Sequence, residues 1–504
     1  MKVILSSLFT LLISAGMLTA QPYINWSKNI SNSRSVIPNE MIKGPSGSYY
    51  AAGRLGANGW LIRVGRDLGT IWEKETVGGS GLDAFQGGFN QLITTKNGDL
   101  VVAGGAYSSD GDLPGNYGEQ DGWIMKINVH GDVVWSRNYG TSGYDNCTGL
   151  LEAEDGGYYA MFNSYGNDKD FPSQRGVSDI WVAKLNFRGD IEWTKQFGGT
   201  QREYAFSWVQ GDNGNITIAA RSESMDLDLA GSDGTPALWL FQIDENGELQ
   251  WSKTYAGVID LFHLEKTSDN GFIVCGKTFM ASNYLSNNGK DDGFIKKFDA
   301  NGNLEWAKNY GGPEGESLTR ITELSDGNFM AIGKSFSESG DLPGHYGKGD
   351  CWVLKVDKDG DIMWSKNIGG TNGDSGVNII EEEPGEYFIH LYNGSFDGDF
   401  EGTLISPGAT IVKLSETLSS VSPFNALDIN VFPTLMAQGD PLNVRFPDSM
   451  DYRFRLFDIS GKKIVDLNLE GPETQVKTTS IPVGSYIYLV EQGEFKNSGK
   501  IVIH

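Results

Sequence analysis

The residues of this 504-residue chain whose types and spacing could do chemistry are carboxylates. Asp110 and Asp112 form an Asp-x-Asp pair in "SSDGDLPGNYGEQDGW", residues 108 to 123, and the stretch returns 229 residues later as "SESGDLPGHYGKGDCW" with ten of sixteen positions identical. A second pair, Asp226 and Asp228, stands in "SMDLDLAGSDG". Such pairs supply hard oxygen ligands for Ca²⁺, or present an acidic surface to a basic partner. They also have a plainer use, because a short Asp side chain accepts backbone N–H bonds and fixes Gly/Pro turns. The plainer use carries more weight: no loop has the twelve-residue calcium-loop spacing, and residues repeated in most copies of a unit usually build the unit. A further acidic series follows the tryptophans. Asp145, Glu203, Glu316 and Asp374 stand ten residues after a Trp, Asp83 and Asp260 stand at eleven and nine, and the first copy has Val36 at the ten-residue position.

Other constellations are thin. The five His residues (His130, His263, His345, His390, His504) show no zinc spacing, and neither a nucleophile elbow nor a phosphate loop is present. No catalytic residue is assigned on this basis, and the reading leans away from an enzyme. Cys147, Cys275 and Cys351 are odd in number and fall at different places in different repeats, so they read as buried apolar residues rather than a disulfide framework. A formal charge of −25 leaves no basic field for phosphates, which excludes nucleic acid as a natural partner, disfavours anionic membranes and favours cations or basic partners.

The elements that must position these acids are legible in the tryptophans. Trp26, Trp72, Trp135, Trp193, Trp251, Trp306 and Trp364 recur 46 to 63 residues apart. Twelve residues before the last six stands another aromatic: Trp60, Trp123, Trp181, Trp239, Phe294 and Trp352. Turns such as "NVHGD" and "DKDGD" between alternating runs make each such segment a β-hairpin. Constant spacing in nearly every repeat points to rings packed between units rather than a row for stacking sugars. Two further alternating runs complete four strands per repeat, labelled a (the Trp strand), b, c and d. Seven such units predict an all-β, seven-bladed β-propeller over residues 21–416, since radial closure protects the sheet edges. The last repeat lacks strand a, and the N-terminal "YINWSKNI" supplies it. Antiparallel order then puts the tight b–c and d–a turns on one face, Y, and the longer acidic c–d and a–b loops on the other, X, where binding is expected.

Residues 1–20, "MKVILSSLFTLLISAGMLTA", read as a signal peptide whose apolar run is short of a membrane span. After a linker at 417–424, residues 425–504 carry short strands without Trp and suit a small Ig-like β-sandwich. This segment resembles the type A C-terminal sorting domains of the Bacteroidota type IX secretion system, through "FRLFDISGKKI" with Gly461, "IPVGSYIYLV" with Gly484 and Tyr486, and "GKIVIH" with Lys500. Where that family has Pro-Asn-Pro, this chain has Phe432-Pro433-Thr434. The resemblance implies passage through the type IX translocon, removal of the domain by a sorting peptidase, and release or attachment to surface lipopolysaccharide. The repeats also look like the Trp- and Gly-rich propeller repeats that accompany such domains. The expected function is that of a secreted or cell-surface protein binding a protein, glycan or ion through face X, with Ca²⁺ the one cofactor suggested. The alternative is a secreted polysaccharide hydrolase or lyase with carboxylates at the propeller mouth; it requires an unequal cluster in one or two blades.

Overall fold

A computed structural model describes residues 22 to 503 with breaks, the longest at 77–88, 279–288 and 417–429. The segment 1–20, Asp83, Asp110, the linker and Gly461 lie outside the described residues. Among the described residues regular structure is strand, apart from three single-turn 3₁₀ helices.

Residues 23 to 415 form seven four-stranded antiparallel sheets. In six the strands follow in chain order b, c, d, a; the first comprises Ile37–Lys43, Tyr49–Leu55, Asn58–Val64 and Thr70–Thr76. The seventh, Ser375–Glu383, Glu386–Asn393 and Gly408–Ser415, is completed by the N-terminal strand Tyr23–Asn29, with Trp26 opposite Lys413. Seven apolar cores lie between successive sheets. One joins Tyr50 and Leu61 of sheet 1 to Val102 and Trp123 of sheet 2, and another joins Ile380 and Phe388 of sheet 7 back to Met41 and Trp60 of sheet 1. The sheets therefore form a closed ring of propeller type, in which each unit buries its apolar faces only against its neighbours.

The tryptophans and hairpin glycines make these joints. Trp72, on strand a of sheet 1, donates its indole N–H to the carbonyl of Val129 in the hairpin turn of sheet 2 at 3.1 Å. Trp306 does the same to Lys358 of sheet 6 at 3.1 Å. A β-carbon on Gly302 would sit 2.7 Å from the ring of Trp251, so the turn must carry Gly, whose φ is 74° there. The strand-d aromatics are buried, and two of them tie the sheet to its long loop: Trp123 donates to Ser136 Oγ at 2.7 Å, and Ser136 donates to the Asp112 carbonyl at 2.7 Å. Trp239, Ser252 and Asp228 repeat that chain at 2.8 and 2.7 Å. Cys147, Cys275 and Cys351 are buried and unpaired, with their thiols pushed up by burial.

Strand b is innermost in every sheet and carries a β-bulge at one equivalent place in all seven, for example Leu261/His263 and Leu318/Arg320. A bulge re-aims the side chain that follows it, so one residue per sheet is set at the axis by construction.

Towards the C terminus, a three-stranded sheet (Asn430–Phe432, Leu442–Arg445, Glu473–Val476) and a five-stranded sheet (Leu435–Met436, Tyr452–Asp458, Lys463–Leu469, Gly484–Gln492, Phe495–Ile503) share one core, with Val444, Leu456 and Val490 at its centre.

Candidate functional site

The long loops of face X are locked to one another by the acids that the repeats share. Asp226 accepts the N–H and hydroxyl of Thr200 at 2.9 and 2.8 Å, and Asp228 accepts the N–H of Gly198 at 3.0 Å and pairs with Arg175 at 2.6 Å. The same two bonds recur from Asp168 and Asp170 to Ser142 and Gly140, and from Asp397 and Asp399 to Thr371 and Gly369. In sheet 6 the second bond is kept, Asp341 accepting the N–H of Gly311 at 3.0 Å. The first has no donor there, because Pro313 occupies the place of the Thr or Ser, and Ser339 replaces the Asp. Loss of acceptor together with donor is what a backbone-capping role requires.

The acids ten residues after each Trp are buried caps as well. Asp145 accepts from the Thr141 N–H and hydroxyl, each at 2.7 Å, while Glu203 accepts from the Gly199 N–H at 3.0 Å and Ser222 Oγ at 2.8 Å. Glu316 and Asp374 take Gly312 and Gly370 in the same way. Asp260, one residue nearer its Trp, is half-buried and faces Lys277 and Arg221. Burial pushes Asp121, at the start of strand d, up to about 6, and raises Asp145, Glu203 and Asp374. Of the four residues expected to hold Ca²⁺, Asp226 and Asp228 are engaged as above and Asp112 offers its carbonyl to Ser136. Among the described residues no group of three His, Cys, Asp or Glu side chains is arranged to hold a metal.

On face Y a cleft of about 360 Å³ lies between sheets 5 and 6, lined by Asp269, Lys297, Glu305, Trp306 and Glu323 among others. Its polar groups serve each other. Lys297 bonds Asp269 at 2.8 Å and Glu305 at 3.1 Å, and Glu323 takes the Ser268 N–H and hydroxyl.

The axis is where the sheets differ. The residue after the bulge is Glu40, Gln91, Gly149, Ser207, His263, Arg320 and Asn378 in sheets 1 to 7. In five sheets this side chain serves the open backbone edge of the next inner strand. Glu40 accepts the Leu92 N–H at 2.6 Å, Gln91 the Leu150 N–H at 2.5 Å and His263 Nδ1 the Ile321 N–H at 3.5 Å, while Ser207 donates to the Leu264 carbonyl at 3.4 Å and Asn378 donates to that of Met41. Gly149 has no side chain, and a β-carbon there would sit 2.6 Å from the indole nitrogen of Trp208. Arg320 departs from the pattern by passing sheet 7 and donating to Glu40 Oε1 at 2.8 Å. Two residues further along strand b, five sheets have Ile, Leu or Val, but sheet 5 has Glu265 and sheet 6 has Thr322, which are bonded to each other at 2.8 Å. Sequence reasoning did not single out this cluster; the signal available was a column of aligned repeats in which the residues disagree.

In the C-terminal segment, Gly484 opens a strand, buried Tyr486 donates its hydroxyl to the Pro482 carbonyl at 2.6 Å, and Lys500 is exposed opposite Ile487.

No protein-family profile matches the chain. A stretch of 147 residues, 26% of the chain, is 29% identical to the regulatory protein FlaEY of Caulobacter vibrioides, of whose length the chain spans only 15%. Among solved structures, a virginiamycin B lyase from Staphylococcus aureus overlaps 77% of this chain and 98% of its own at 10% identity and a TM-score of 0.46. The WD40 domain of Neurospora crassa Pan2 overlaps 76% and 96% at 9% identity and a TM-score of 0.42.

Proposed function

We propose that the chain is an exported seven-bladed β-propeller, cargo of a type IX secretion system, that binds a protein or glycan through the loops of face X, and that residues 425–504 are its sorting domain. The observation that carries the binding reading is the recurrent Asp-to-backbone interlock, which turns long loops into a rigid platform without consuming the side chains at their tips. Exposed Tyr117, Met225, Tyr346 and Phe396 lie in those c–d loops and are the residues such a partner would meet. The export reading rests on the signal-like N terminus and the sorting-domain resemblance. It is tested by expressing the chain with and without residues 425–504 in a Bacteroidota host: the full chain is expected in the medium or on the cell surface, and the truncated one in the periplasm. A glycan array on residues 21–420 tests the binding reading.

A polysaccharide hydrolase or lyase is the second reading, and one observation favours it. The unequal cluster that such an enzyme needs is present at the axis, in Glu40, His263, Glu265 and Arg320. A polysaccharide-degradation screen on the same fragment separates the two readings, since turnover overturns a purely binding role.

A further inference from the structure

The axial cluster has unused hydrogen-bonding capacity of one particular kind. Capping an edge strand needs only one polar group, and Gln, Ser, Asn or His supplies it in four sheets, so Arg320 is not required by that task and Glu265 adds to what His263 already does. Arg320 uses one guanidinium nitrogen on Glu40, leaving most of its planar donor fork unengaged. Glu265 takes the Thr322 hydroxyl at 2.8 Å and the Glu323 N–H at 3.2 Å on the same oxygen, Oε1, so that among the described residues Oε2 has no hydrogen-bond partner. His263 accepts at Nδ1, which places the proton of a neutral ring on Nε2. His263, Glu265, Arg320 and Thr322 are mostly buried on the innermost strands but not sealed, the Arg320 side chain keeping 23% of its surface open. Burial, reinforced by the charge of Arg320, holds His263 and His390 below the usual imidazole range, and burial raises the carboxyl of Glu265 despite Arg320. A donor fork, a neutral N–H and a free carboxyl oxygen thus stand together on the inner strands of sheets 5 and 6, in a protein whose formal charge is −25.

We propose that this sector of the ring's axis binds a hydroxylated carboxylate, the chemistry of a uronic acid residue, with the carboxylate on the Arg320 fork and hydroxyl groups on Glu265 and His263 Nε2–H. Planar bidentate recognition of carboxylate is what a guanidinium does best, and a carboxyl that holds its proton can either donate to or accept from a sugar hydroxyl. The inference goes beyond the face-X reading above, since it sets a separate ligand site at the axis.

The test is titration calorimetry of the full chain with sodium D-glucuronate, tri-galacturonate, glycolate and D-glucose. Binding of glucuronate or tri-galacturonate, with glucose at least tenfold weaker, is expected; glycolate binding as tightly as the sugars would assign the site to a free hydroxy acid. R320Q should weaken the sugar acid at least tenfold. Should that variant fold poorly because Glu40 is left unpaired, E40Q/R320Q removes both charges and must show the same loss. No heat with any carboxylate, equal binding of glucose, or full affinity in the double variant overturns the proposal. Substituting Tyr346→Ala on face X keeps the two readings apart: sugar-acid binding lost there and retained in R320Q would sink the axial site and leave the face-X reading standing.

Discussion

Each loop built on the Asp-x-Asp pattern asks one residue to adopt a left-handed backbone. The middle position has φ 68° at Gly111, 92° at Gly340 and 65° at Gly398, but it is occupied by Lys169 at 55° and Leu227 at 53° in sheets 3 and 4. A β-carbon there costs about 1–2 kcal/mol, and Leu227, 56% exposed, recovers little of that by burial. Leu227→Gly is therefore expected to stabilise the ring by about 1 kcal/mol in urea unfolding, part of the conformational gain being offset by the freer unfolded chain. A loss of stability would mean that the Leu side chain contributes packing that its exposure hides. The exception in sheet 6 provides a sharper test of the capping role. Restoring both partners as Pro313→Thr and Ser339→Asp should give a favourable coupling of about 1 kcal/mol in a double-mutant cycle. Either change alone lacks its mate, and additive effects would show that the paired acids have some other use.

Within a single sheet, the inner strand shows which features the sequence revealed and which it hid. Alternation, the constant spacing of twelve and the glycine turns identify four strands and their order, because turn chemistry and a period of two are local properties. The loop acids were visible but ambiguous, since an Asp-x-Asp pair has the same composition whether it caps backbone or holds an ion. His263, Glu265 and Arg320 were invisible as a site because the bulge shifts the alternation by one residue, and only pairing to strand c shows which side chains reach the axis. Their placement has a measurable consequence. Burial lifts Glu265 to about 7 from 4.5, against the Thr322 and Glu323 bonds and Arg320. The folded chain then keeps a proton that the unfolded chain has lost, so this contribution is full below about 4.5 and disappears as pH rises to about 7. Wild-type protein should lose more thermal stability between pH 5 and pH 8 than Glu265→Gln, by a few degrees; parallel curves would rule out the shift, because His263, His390 and the loop acids act alike in both proteins. Strand d offers a second case at Lys296, which is buried where the equivalent residues are Ile62, Met125, Ala183, Phe241 and Leu354, and whose amine burial lowers to about 8. Lys296→Met is expected to stabilise by about 1–2 kcal/mol, read from the shift in denaturation midpoint.

For the ring as a whole, stability depends on a joint between the two ends of a 393-residue stretch, the N-terminal strand Tyr23–Asn29 and Gly408–Ser415. Six sheets fold from contiguous chain, so their contacts are local, whereas the seventh needs its ends to meet. Without the N-terminal strand, sheet 7 would expose the whole backbone edge of Gly408–Ser415 and uncover Phe388, against which Trp26 lies edge-on at 5.5 Å. Open edges of that length invite pairing with other chains. Closure by strand exchange also ties sheet 7 to sheet 1 through the core that includes Trp26, so the loss should spread to the Asn378 and Glu40 contacts at the axis rather than remain at the rim. A chain beginning at residue 34 is expected to melt at least ~10 °C lower than one beginning at residue 21 and to self-associate on sedimentation, in keeping with removal of several kcal/mol of burial and hydrogen bonding. A synthetic peptide of residues 21–33 added in trans should restore the melting temperature in a saturable manner, and the same peptide with Trp26→Ala should do so more weakly. If the shortened chain instead melts unchanged and stays monomeric, the ring is held by its inter-sheet cores alone and the strand is an ornament of sheet 7 rather than its closure.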